Sequence, residues 1–268
     1  MKGTLEICRS TFDEIARLYD EARPCYPTQL VKDVLRHADL PASGAKVLEV
    51  GSGTGKGTEH FISNNFELCC VEPGPKSIEI ARSKLAGFQN LSFINKKFED
   101  LDVPKSSYDL VLSGQAFHWI NGVISFTKAA DVLKVGGSLA LFWNTLVADR
   151  TDLDQALDGV YSKYVPLLSR ETVESLPENI ILTQKQYLQS SGYFESIKTK
   201  RYTWMVDYTA EAYIRLMQTF THVHLLSAGV KRALFDGVRA EIINQGGVYT
   251  KSYKAVLIAA RKVTEYIN

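Results

Sequence analysis

The sequence predicts an α/β protein: a Rossmann-like, seven-stranded, mostly parallel sheet with helices on both faces and a helical cap. Three observations carry that expectation. From Lys46 to about Asn144, short apolar runs alternate with amphipathic stretches, as strands joined by crossover helices do. The runs are apolar almost throughout, which fits strands buried on both faces. The first run ends in the glycine-rich stretch Gly51-Ser52-Gly53-Thr54-Gly55, at the carboxyl end of a strand, where such sheets bind ligands.

The elements follow in order. Phe12, Ile15, Ala16 and Tyr19 fall at helical spacing, and Leu30, Val31, Val34 and Leu35 resume it after a break at Arg23-Pro24-Cys25-Tyr26-Pro27. Pro41-Ala42-Ser43-Gly44 reads as a loop. Val47 to Val50 is the first strand, and a helix is expected from about Gly57 to Asn64. Leu68 to Val71 makes the second strand, with a helix over Ser77 to Leu85. Leu91 to Asn95 and Tyr108 to Ser113 are the third and fourth strands, and Ile124 to Leu133 is helical. Ser138 to Trp143 is the fifth strand, behind the Gly136-Gly137 turn. Beyond Asn144 the alternation lapses. Residues 150–190 read as helix, with Leu153, Ala156, Leu157, Val160, Tyr161 and Tyr164 on one face. Residues 196–206 alternate as a strand, Ala210 to Phe220 and Val230 to Asn244 are helical, and Tyr253 to Ala260 is a last apolar strand.

Composition narrows the function classes. Lys+Arg is 31 against Asp+Glu 30, a formal charge of +1 that gives no pull toward nucleic acid or an anionic membrane. No apolar run is long enough to span a bilayer, and Met1-Lys2-Gly3-Thr4-Leu5-Glu6 turns polar too early for a signal peptide. Cys8, Cys25, Cys69 and Cys70 form no CxxC pair, so no metal is expected. Cys69 and Cys70 sit together in an apolar run, which suits free thiols in a reducing, cytoplasmic setting. His222 and His224 alternate without a patterned acidic or cysteine partner, and read as solvated or pocket-lining.

The glycine stretch is the most informative. Counted from Gly51, the third glycine of a dinucleotide fingerprint falls on Lys56; counted from Gly53 it falls on Thr58. Gly55-Lys56 is followed by Gly57, so no phosphate-binding P-loop ending is present either. Glu49, two places before the first glycine, would repel a pyrophosphate and welcome an ammonium. Glu72 ends the second strand, where a carboxylate can accept ribose hydroxyls.

These residues, with Val71-Glu72-Pro73, Phe98-Glu99-Asp100-Leu101, Asp109 to Ser113 and the run Gln115-Ala116-Phe117-His118-Trp119, resemble the class I S-adenosylmethionine-dependent methyltransferases. Within them the likeness is to the small-molecule group called methyltransferase type 11 or trans-aconitate-methyltransferase-like. It covers residues 10–145 well and the rest in outline. The resemblance implies one methyltransferase domain over 1–268: an N-terminal cap segment 1–40, a cofactor-binding core 41–145, a helical cap insertion 146–195 and a C-terminal portion 196–268 completing the sheet. It implies S-adenosyl-L-methionine as cofactor, S-adenosyl-L-homocysteine as product, a small-molecule acceptor with carboxylate or hydroxyl favoured, and a monomer or weak homodimer.

It also implies residue roles. Glu49, Gly51, Ser52, Gly53 and Gly55 face the methionine part, Glu72 and Pro73 the ribose, and Phe98 and Glu99 the adenine. Many relatives carry an acid where this chain has Lys97. Ser113 and Gln115 are expected under the sulfonium, and Tyr19 and Arg23 over the cofactor, with Arg23 on the methionine carboxylate or simply at the surface. Phe117, His118, Trp119, Trp143 and Asn144 are expected around the acceptor. His118 is the candidate catalytic residue, as base or as donor; otherwise it is a structural histidine at a helix start. Two other readings stand beside this one: a cofactor-binding regulatory protein without catalysis, and a nicotinamide oxidoreductase, which Lys56 disfavours.

Overall fold

The computed structural model describes residues 12–62, 66–147, 149–165 and 170–264. Cys8 and the end of the helix expected over 57–64 lie outside them.

Helix α1 (Ala16–Ala22) and helix α2 (Thr28–Ala38) flank the proline break. Strand β1 (Ala45–Val50) follows, then β2 (Phe66–Val71), α3 (Pro75–Lys84), β3 (Leu91–Ile94) and β4 (Tyr108–Gly114). Helix α4 (Gly122–Val132) leads into β5 (Leu133–Leu146). Helices α5 (Asp152–Tyr164) and α6 (Arg170–Ser190) precede β6 (Phe194–Thr209). Then come α7 (Ala210–Gln218), α8 (Thr221–His224), α9 (Ala228–Asn244) and β7 (Val248–Lys262).

The seven strands form one sheet in the order β3-β2-β1-β4-β5-β7-β6. Pairing is parallel from β3 through to β5, whereas β7 runs antiparallel to β5 on one side and β6 on the other. The expected fold is therefore present, with β7, one strand in from the β6 edge, as the strand that runs against its neighbours. From β1 the chain winds outward to β3, then returns to place β4 on the opposite side of β1. That reversal opens a crevice beyond the carboxyl ends of β1 and β4.

Strand alternation divides the interior. Leu48, Val111, Leu141, Trp143, Val256 and Ile258 point to one face, covered by Phe126 and Ala129 of α4 and by Ile181 and Leu188 of α6. Val47, Leu110, Leu112, Phe142, Ala255 and Leu257 point to the other, covered by Leu30, Val31 and Val34 of α2 and by Phe61. A third core joins Leu157 and Tyr161 of α5 to Tyr213 and Met217 of α7, Leu234 and Val238 of α9, and Tyr249 and Tyr253 of β7. This is the cap, and β6 and β7 carry it beyond the sheet.

Two local expectations change. Strand β5 does not start after Gly136-Gly137 but runs through them from Leu133. The helix expected from Gly57 does not form over the described residues; a single 3-10 turn, Thr58–His60, stands there. Gly55 and Gly57 weaken helix propagation, and Thr58 turns its hydroxyl inward to donate to the Glu49 carboxylate at 2.6 Å.

Candidate active site

The glycine loop is shaped by contact as well as by dihedral angle. Gly51 has φ +69°, and a Cβ built on it would lie 2.3 Å from the Ala116 Cβ. The loops after β1 and β4 therefore approach so closely that only hydrogen fits. Glu72, at the end of β2, ties the loop down: Oε2 accepts from the Gly53 amide at 2.9 Å and Oε1 from the Gly74 amide at 2.8 Å. Glu49 is 1% exposed. It accepts from Thr58 and from the Cys70 thiol at 3.6 Å, and burial pushes its pKa up to about 7.

These groups open into one cavity of about 430 Å³, within the range of small-molecule sites. Of the residues expected from the sequence, Tyr19, Arg23, Glu49, Gly51, Ser52, Gly53, Glu72, Pro73, Phe98, Glu99, Gln115, His118, Trp119, Trp143 and Asn144 line it. Ser113, Gly55 and Phe117 do not. Ser113 is fully buried and donates to the Val50 carbonyl at 2.7 Å, locking β4 to β1 below the crevice. Gly55 turns its back on the cavity; a Cβ there would meet Leu85 Cδ1 at 2.9 Å. Phe117 is buried against Phe126, ring centroids 5.1 Å apart, and anchors the turn that carries His118.

The N-terminal segment straps across the crevice. Asp13 accepts from the Ser77 amide at 2.8 Å, so a residue of the strap caps α3. Asp20 accepts from Thr54 and from Lys84, both at 2.8 Å. Arg23 donates from Nε to Thr219 Oγ1 at 2.7 Å and lies 4.5 Å from the Phe220 ring centroid, which ties the strap to the cap. The Asn144 amide reaches the carbonyls of Pro24 and Cys25 at 3.4 and 3.3 Å.

At the opposite wall, His118 Nδ1 accepts from the Trp143 indole at 3.1 Å. Burial pushes the His118 pKa down to about 4, so the ring is neutral near pH 7. Gln115 holds φ +59° and donates to the Asn144 carbonyl at 2.8 Å.

Sequence reasoning did not place Thr219, Thr221 and Tyr253 in this wall, which Phe220 shares. His222, read only as solvated or pocket-lining, also joins it, stacked on Phe220 at 5.5 Å. Burial, and then the Arg23 cation, lower its pKa to about 4. Their signal is tertiary, since the cap lays them over a crevice built elsewhere in the chain. Cys25, Glu59 and His60 also gather, with ligand atoms within 4.8 Å of one another, but Lys84 already takes the Glu59 carboxylate at 3.2 Å.

Residues 48–141 match the family described as a methyltransferase domain. An uncharacterized methyltransferase of Mycobacterium bovis is 33% identical over 135 residues, which is 50% of this chain and 52% of the relative. The chain thus spans about half the length of that relative. Among solved structures, a putative type II methyltransferase from Anaeromyxobacter dehalogenans superposes with a TM-score of 0.65 at 17% identity, covering 91% of this chain and 99% of its own. Phosphoethanolamine N-methyltransferase 2 of Haemonchus contortus, solved in complex with S-adenosyl-L-methionine, superposes at 0.55 and 14% identity, over 96% of this chain and 60% of that one. Among the described residues, no helix is long and apolar enough to cross a membrane.

Proposed function

We propose that this chain, whose residues 48–141 match a methyltransferase domain, is a class I S-adenosylmethionine-dependent methyltransferase that transfers a methyl group to a small organic molecule, with a carboxylate or hydroxyl oxygen favoured as acceptor. One observation carries the reading: the glycine loop, Glu49 and Glu72 open into the same cavity as His118, Trp143 and Asn144. A place for the donor and a place for an acceptor are continuous.

The residues present fit S-adenosylmethionine. Ser52 Oγ is buried without a hydrogen-bond partner at the cavity wall. Glu49 is a buried acid poised near neutrality, suited to a cation. Glu72 has its two oxygens on the Gly53 and Gly74 amides, which aims a carboxylate at the loop where ribose hydroxyls would lie, and a carboxylate oxygen accepts more than one hydrogen bond. Phe98 and Glu99, with Arg23 and Tyr19, line the same cavity; in this reading the first two meet the adenine and the last two the methionine part. Bound there, the cofactor supplies a methyl group already activated on a sulfonium. The protein then has to align the acceptor and exclude water, which is a task of proximity and orientation. The strap and cap suit it, because they roof the crevice with Tyr19, Arg23 and Phe220.

Calorimetry with S-adenosylhomocysteine and with NAD tests the reading. The former is expected to bind with a Kd on the order of micromolar; binding of NAD in its place overturns the assignment. Glu72→Ala is expected to weaken S-adenosylhomocysteine at least about tenfold, the loss of one charge-assisted interaction. An unchanged affinity removes the ribose role. Small carboxylates, phenols and amines offered with radiolabelled donor then identify the acceptor.

A further inference from the structure

His118 sits in the 3-10 turn Phe117–Trp119 at the mouth of β4. Buried Phe117 holds that turn from below, and the Trp119 ring lies 4.7 Å from the imidazole. Trp143, on β5, is 2% exposed. A buried indole N–H requires an acceptor, and the one it finds is His118 Nδ1, 3.1 Å away. An indole nitrogen donates and never accepts, so Nδ1 must present a lone pair. A neutral imidazole has one bare nitrogen, and the hydrogen therefore resides on Nε2.

We propose that Trp143 is a positioning residue that locks His118 as the Nε2–H tautomer, so that the cavity meets a neutral N–H donor and not a base. The ring lines the cavity, and Nε2 is the nitrogen it has left to offer there. Accepting a proton from a bound molecule would require the lone pair on Nδ1, which faces Trp143. For methyl transfer, His118 then orients an acceptor by donating to it and removes no proton from it. That consequence rests on the function proposed above; the tautomer does not.

Long-range ¹H–¹⁵N correlation of the imidazoles at neutral pH, in the free protein, tests the lock. His118 is expected to show a bare Nδ1 and a protonated Nε2; a protonated Nδ1 overturns the proposal. Trp143→Phe keeps a ring in place and removes the donor. It is expected to convert His118 from one tautomer to a mixture, and an unchanged pattern removes the role from Trp143. If that variant does not fold, His118→Ala serves instead: the Trp143 indole N–H resonance must move, and a fixed resonance overturns the pairing. Titrating the same samples with S-adenosylhomocysteine keeps the two ideas separate. A protein with the expected tautomer that ignores this ligand loses the proposed function and retains the lock.

Discussion

Glu49 works against the protein's stability. Its folded pKa of about 7 stands above the ordinary carboxyl value of 4.5, because burial outweighs the hydroxyl and thiol that donate to it. Raising an acid's pKa on folding means the native state holds the proton more tightly. Stability is therefore undiminished below about pH 4.5 and falls as pH rises toward 7, by about 3 kcal/mol once the group is charged. Glu49→Gln is expected to melt higher than the parent at pH 8 and level with it near pH 4.5, in paired thermal melts. The same substitution should weaken S-adenosylhomocysteine, whose ammonium needs the charge. The parent's own affinity is expected to fall up to about tenfold per unit as pH drops below 7; a flat profile from pH 8 to 5 would show that no cation meets Glu49. At Gly51, by contrast, the constraint is geometric. Gly51→Ala places a Cβ 2.3 Å from Ala116 at φ +69°, and a loss of about 1–3 kcal/mol is expected in urea unfolding from strain alone.

Among the described residues, polar contacts hold the strap at both ends. Asp13 and Asp20 bind it to the sheet domain, and Arg23 binds it to Thr219 on the cap. Contacts of this kind open more readily than a packed core. Arg23→Ala is expected to speed S-adenosylhomocysteine release about tenfold in stopped-flow dilution, and an unaltered rate would mean the strap does not retain the ligand. Elements of this sort mark where the sequence was readable. The break at Arg23 to Pro27 announces itself through two prolines, and the strands through apolar runs that must fit between helices on both faces. The glycine loop and Glu72 were legible because glycines that take positive φ and an acid that ends a strand leave a local pattern in the sequence. Ser113 and Phe117 misled because adjacency to a strand end does not reveal which face a side chain takes. Gly57 to Asn64 misled because apolar periodicity ignores the pull of Glu49 on Thr58. Thr219 and Tyr253 were invisible as wall residues, since nothing local distinguishes a cap side chain facing a crevice from one facing its own core.

Across the whole molecule, the cavity is bounded by three separately anchored parts: the sheet's glycine loop, the strap and the cap. A ligand touching all three favours the native state over the unfolded chain. S-adenosylhomocysteine at about a hundred times its Kd is expected to add about 2.7 kcal/mol, a rise of about 5–10 °C in Tm for a chain of this size. Glu72→Ala should show a smaller rise at the same concentration in a thermal-shift titration; an equal rise would mean that binding bypasses the ribose end. The placement of β7 bears on how the chain acquires this shape. Thr145 on β5 and Lys254 on β7 are joined by a hydrogen bond at a separation of 109 residues. Strand β5 keeps an open edge until that distant partner arrives, and the loop closed on its arrival contains α5, α6, β6 and the rest of the cap. Long-range pairing of this kind slows folding, and an exposed apolar edge invites a neighbouring chain in the interval. Refolding yield should therefore fall steeply with protein concentration, and a trapped species should expose β5 while β1 to β4 are already protected from hydrogen exchange.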